Sequence, residues 1–246
     1  SEREELLERI KEILKRVKDK LDEDLKRLKE ILEKLKEKAD RRDHMVLHEY
    51  VNAAGITERT GRTDELVKEV LDTVRRNLEN LKRLVEDILR KLEENVKNLT
   101  DLVREILKLI TELIKRLEDG GLPKEVLDAL RRVLEKLEEL LREILERLKR
   151  SLEAVKRKIE ELLKELERSL DELRRALERI RKEIGDSETA VRAIIRVLEK
   201  HLEAVRRVLE ELLKVLAEHL ETVRELIERL KRVLEEAIEV VERVAR

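Results

Sequence analysis

From Glu2 onward, apolar residues recur at spacings of three and four: Leu7, Ile10, Leu14, Val17, Leu21, Leu25, Leu28, Leu32, Leu35 and Ala39. That is one stripe of an amphipathic helix, with Lys, Arg and Glu on its other faces. The rhythm returns in three further stretches, and the residues between them are ones that stop helices. In Thr60-Gly61-Arg62-Thr63-Asp64, Gly61 suits a left-handed helix terminus and Thr63 can cap the next helix's free N–H groups. Asp119-Gly120-Gly121-Leu122 stops the second stretch, and Pro123 opens the third, because a first-turn N–H has no partner to lose. Gly185 ends the third, with Asp186 or Ser187 as the following cap. The pattern predicts an all-α chain of four helices, over about 2–59, 64–118, 123–184 and 187–246.

An eighteen-residue repeat runs inside these helices. Leu152–Ser169 follows Leu134–Ser151, Leu216–Val233 follows Leu198–Val215, and Leu89–Ile106 follows Leu71–Ile88. Eighteen residues make five turns at about 3.6 per turn, so a stripe with this period does not drift around its helix. The expectation is a single domain over residues 1–246, an elongated, nearly straight antiparallel four-helix bundle.

Charge narrows the function classes. Charged residues make up 48% of the chain, and 59 basic against 60 acidic side chains leave a net charge of −1. Such a surface is heavily solvated and offers no field to steer nucleic acid, so no nucleic-acid partner is expected. Apolar runs are short and broken by charge, so no membrane span and no signal peptide are expected, and nothing assigns a compartment. With no Cys, disulfides and thiolate chemistry are excluded. No H-E-x-x-H, E-x-x-H or P-loop is present, and the Glu residues are spaced as solvated faces rather than as an acid/base pair. No enzyme activity, cofactor or metal is expected. Near absence of aromatics, Met and Pro points to a de novo designed sequence.

One stretch breaks the rhythm. Arg42-Asp43-His44-Met45-Val46-Leu47-His48-Glu49-Tyr50-Val51-Asn52-Ala53-Ala54-Gly55-Ile56-Thr57 holds the only Tyr, the only Met and two of the four His. With a period of two, Met45, Leu47, Glu49, Val51 and Ala53 fall on one face, and His44, Val46, His48, Tyr50 and Asn52 on the other. These residues resemble the eleventh, C-terminal strand of green fluorescent protein, and His48, Tyr50 and Asn52 match the engineered split-reporter tag. The resemblance implies that residues 42–57 can complete a separately supplied ten-strand barrel that then fluoresces. It also implies that Glu49 corresponds to the inward glutamate beside the chromophore. The likeness ends at Thr57 and says nothing of the rest of the chain.

Length decides how the stretch is carried. Helices two to four each span about 55 to 62 residues, roughly 80 to 95 Å, and helix one matches them only if residues 42–57 are helical too. Projected at about 100° per residue, Val46, Tyr50, Ala53 and Thr57 continue the first stripe. The fit is strained: Asp43 lies on the stripe, Met45 and Val51 point outward, and Gly55 costs about 1 kcal/mol against Ala.

Four polar residues share repeat phase near the apolar arc: Asn77 and Asn95 in helix two, His201 and His219 in helix four. They form a candidate polar network that fixes helix order, with boundary residues facing water as the alternative. Ser151 and Ser169 sit at the arc's edge as surface choices. His44 and His48 are one turn apart, but the tag accounts for both without a metal.

The leading expectation resembles designed cage-and-latch switches: a reporter strand held as helix and released to complement the ten-strand fragment of green fluorescent protein. A competing helix peptide is the second expected partner. The alternative is a scaffold that displays the tag in an exposed loop between helices one and two.

Overall fold

The computed structural model describes the backbone of residues 2–60, 63–120, 123–185 and 188–245, with side chains for all of these except 2, 3, 6, 38–60, 244 and 245. The described chain is helical. Its elements are α1 (Glu2–Thr60), α2 (Thr63–Glu118), α3 (Lys124–Glu143), α4 (Lys149–Glu183) and α5 (Glu188–Ala245). A π-helical turn, Ile144–Leu148, joins α3 to α4 without a break in right-handed helical dihedrals, so α3, the turn and α4 together are the third helix of the bundle. Among the described residues there is no strand.

The π turn departs from the uniform third helix that the repeat predicts. In the second copy the buried positions are Leu152, Val155, Ile159, Leu162 and Leu166; in the first they are Leu137, Leu140, Ile144 and Leu148. Ile159 corresponds by repeat to Leu141, yet it is Leu140 that is buried and Leu141 that is half-buried. The difference is local, because Leu137, Ile144 and Leu148 stand one eighteen-residue repeat before the buried Val155, Leu162 and Leu166, so the apolar face keeps its phase across the turn. A π turn closes i to i+5 rather than i to i+4.

Contacts divide the chain into two compact units: residues 1–30, 90–154 and 218–246 form unit 1, and residues 31–89 and 155–217 form unit 2. In unit 1, Leu7, Ile10, Leu14 and Leu21 of α1, Leu99, Ile106 and Ile110 of α2, Leu130 and Leu137 of α3, and Leu226, Leu230 and Leu234 of α5 are all buried. Ion pairs rim this core: Lys11 with Glu242 at 2.9 Å, Lys18 with Glu235 at 2.5 Å, and Lys231 with Asp22. Partner numbers fall along α5 as they rise along α1, so the two helices are antiparallel. Lys136 pairs with Glu236 at 2.8 Å and Arg147 with Glu225 at 3.1 Å, which sets the third helix antiparallel to α5 as well.

In unit 2, Leu66, Val67, Val70 and Val74 of α2 pack with Leu173, Leu177 and Ile180 of α4 and with Ala190, Val191, Ile194 and Leu198 of α5. Lys82 reaches Glu167 at 2.6 Å, Arg181 reaches Asp64 at 3.6 Å, and Lys158 reaches Glu211 at 3.5 Å, again antiparallel. Gly185 ends the third helix at φ 70°, a conformation that glycine adopts without a Cβ penalty. Its carbonyl accepts a 3.2 Å hydrogen bond from the buried Thr63 hydroxyl, which ties the start of α2 to the end of the third helix. These exposed ion pairs each contribute little, roughly 0 to 1 kcal/mol, so apolar burial holds each unit together.

Along α1 the predicted stripe is graded. Leu7, Ile10, Leu14, Val17, Leu21, Leu28 and Leu35 are buried, whereas Leu25 and Leu32 are half-buried. Ala39 lies outside the residues whose side chains are described.

Candidate functional site

Arg42, Asp43, His44, Met45, Val46, Leu47, His48, Glu49, Tyr50, Val51, Asn52, Ala53, Ala54, Gly55, Ile56 and Thr57 all fall within α1, whose helical backbone continues to Thr60. Their side chains lie outside those described, and so does the predicted inward placement of Val46, Tyr50, Ala53 and Thr57.

The four candidate network residues are all described. His201 and His219 are buried at 6% and 1% exposure. Asn77 and Asn95 are half-buried on α2. The direct partners of the two imidazoles are serines. Ser151 Oγ lies 2.8 Å from His219 Nδ1 in unit 1, and Ser169 Oγ lies 2.8 Å from His201 Nδ1 in unit 2. In each pair the tautomer decides which group donates. Ser151 and Ser169 read on their own as surface choices, but their spacing carries a signal. The serines are one repeat apart on the third helix and the histidines one repeat apart on α5, so in an antiparallel pair both contacts form together or neither does.

Burial pushes the His201 and His219 imidazoles down to about 4, because taking a ring out of water penalises its charged form. At neutral pH both rings are therefore neutral, each with one donor and one acceptor nitrogen. Asn95 Oδ1 and His219 Nε2, both in unit 1, are buried with no hydrogen-bond partner among the described residues. In unit 2 the antiparallel pairs of α2 with α4 put Asn77 within about one turn of the height of Ser169. No hydrogen bond joins Asn77 or Asn95 to an imidazole among the described residues.

A buried neutral imidazole beside a serine hydroxyl resembles part of a nucleophile and base pair, but among the described residues no third group hydrogen-bonds either ring. Among the described residues no group of three His, Asp or Glu side chains could hold a metal ion, and no helix is long and apolar enough to cross a membrane. What the layers can do is specify alignment, since sliding α5 along the third helix by less than a full repeat leaves two imidazoles and two hydroxyls unpaired. Comparison of the chain with protein-family models, with curated proteins and with solved structures finds no match.

Proposed function

We propose that the chain is a designed helical cage that holds a strand of green fluorescent protein in helical form and releases it to complement a ten-strand fragment. The observation that carries this reading is a segment with a strand's alternating pattern, residues 42–57, inside a helix that runs from Glu2 to Thr60. As helix, residues three or four apart share a face; as strand, every second residue does. The two conformations therefore present different side chains, and no single one serves both. Complementation requires these residues to leave α1, and the apparent affinity falls by the fraction of molecules in which they have done so.

The test is to mix the full chain with the ten-strand fragment and follow fluorescence. Signal is expected from the parent chain and not from one in which residues 42–57 are scrambled. A parent chain that gives no more signal than the scrambled chain, even at concentrations about a thousandfold above those at which the free sixteen-residue peptide gives signal, contradicts the reading.

A further inference from the structure

The outer surface of unit 2 carries a charge arrangement that the caging reading does not use. A groove of about 600 Å³ runs between α4 and α5, and five cations line it, Arg168, Arg175 and Arg179 on α4 with Lys200 and Arg207 on α5, against only Glu165 and Glu172. Several nearby carboxylates are engaged in other pairs, and Arg175 itself is answered by Asp171. Asp171 pairs with Arg174 at 2.9 Å and with Arg175 at 3.1 Å, Glu167 pairs with Lys82, Glu211 with Lys158, and Glu210 with Arg206. Arg168, Arg179, Lys200 and Arg207 form no ion pair with a described residue. The groove between α3 and α5 in unit 1 is different: Lys136 is answered by Glu236 and Arg229 by Glu143.

We propose that the α4/α5 groove of unit 2 is a docking surface for an acidic amphipathic helix. The cations stand seven and four residues apart on α4 and seven apart on α5, which is about 10 and 6 Å of rise. Carboxylates at the same spacings on a third helix laid along the groove rise at the same intervals, so the charges stay matched over its whole length. Between the cations the groove floor is apolar and low. Half-buried Ala176, Val197 and Ala204 offer an apolar strip on which a helix can rest closely. A small inorganic polyanion would leave that strip in water, and a single-stranded nucleic acid would find no Phe, Tyr or Trp ring to stack on.

A fluorescently labelled synthetic helix of about 21 residues, with Leu and Ala on one face and Glu flanking them at spacings of four and seven, is titrated with the full chain at low salt and followed by anisotropy. Saturable binding is expected, lost when the peptide's Glu residues are replaced by Gln. The combined Arg168→Gln, Arg179→Gln, Lys200→Gln and Arg207→Gln chain should bind about tenfold more weakly or worse. All four residues are exposed, and unchanged circular dichroism checks that the fold is kept; the Arg168→Gln, Arg179→Gln pair should give an intermediate loss. Equal binding by parent and variant chains, no saturable binding, or tripolyphosphate binding as tightly as the peptide would each overturn the proposal.

Discussion

His219 Nδ1 lies 2.8 Å from Ser151 Oγ, and His201 Nδ1 lies 2.8 Å from Ser169 Oγ one repeat away. Two identical polar contacts on one pair of antiparallel helices set alignment in a way that leucines cannot. A slipped leucine stripe still buries hydrocarbon, whereas a slipped histidine loses a hydrogen bond inside a buried layer.

Removing the serine partners isolates the cost of that loss. Ser151→Ala should destabilise the protein by about 1 to 3 kcal/mol, because His219 already has Nε2 without a partner and would then have both ring nitrogens buried and unpaired. The double change Ser151→Ala with His219→Leu should recover most of this, since it removes both polar groups. Denaturant unfolding followed by circular dichroism measures both, and a Ser151→Ala cost near zero would mean that the contact is not formed in solution.

The helices were legible in the sequence because spacings of three and four, with Gly61, Gly120 and Gly185 at the breaks, mark where each apolar stripe begins and stops. The π turn was not, since the buried positions on its two sides keep the eighteen-residue spacing and nothing in the repeat marks it. The histidines stood out as rare residues in a repeat, but their partners did not. Serine is unremarkable on a helix surface, and its role emerges only when two antiparallel helices are set side by side. The reporter segment was legible as a foreign piece of sequence, and nothing in periodicity alone says what it completes.

Acid should weaken the fold through the two imidazoles. Unfolded, each titrates near 6.5; folded, near 4. Above about pH 6.5 both states are neutral and the rings have no effect. As pH falls from there toward 4 the unfolded chain binds protons that the folded chain refuses, so stability drops, by about 3 kcal/mol for each ring once pH is below 4. Unfolding curves at pH 7 and pH 4.5 should show the loss in the parent chain and a smaller one in the His201→Leu, His219→Leu chain. Equal losses in the two chains would show that the rings are not buried neutral.

Gly185 offers a local check on the end of the third helix. At φ 70° an added Cβ is strained although nothing stands within 4 Å of it. Gly185→Ala should cost about 1 kcal/mol through backbone conformation alone, and Gly185→Asn less. A neutral alanine would mean that the turn readily takes another conformation.

The helix that carries the reporter should be loosened by a charge placed inside it. Leu35, 3% exposed, is the last buried stripe residue before residues 42–57 among those described. Leu35→Asp puts an unpaired carboxylate in an apolar site and should cost several kcal/mol. If residues 42–57 are held by the packing of α1, that change should speed fluorescence with the ten-strand fragment without altering the tag.

The most direct measurement of caging is the rate and extent of fluorescence when equal concentrations of the full chain and of the free sixteen-residue peptide meet the ten-strand fragment. A cage of about 4 kcal/mol predicts complementation roughly a thousandfold slower or weaker from the full chain, with Leu35→Asp moving it toward the free peptide. Equal rates for the full chain and the peptide, unchanged by Leu35→Asp, would contradict the account and leave a scaffold that merely displays its tag.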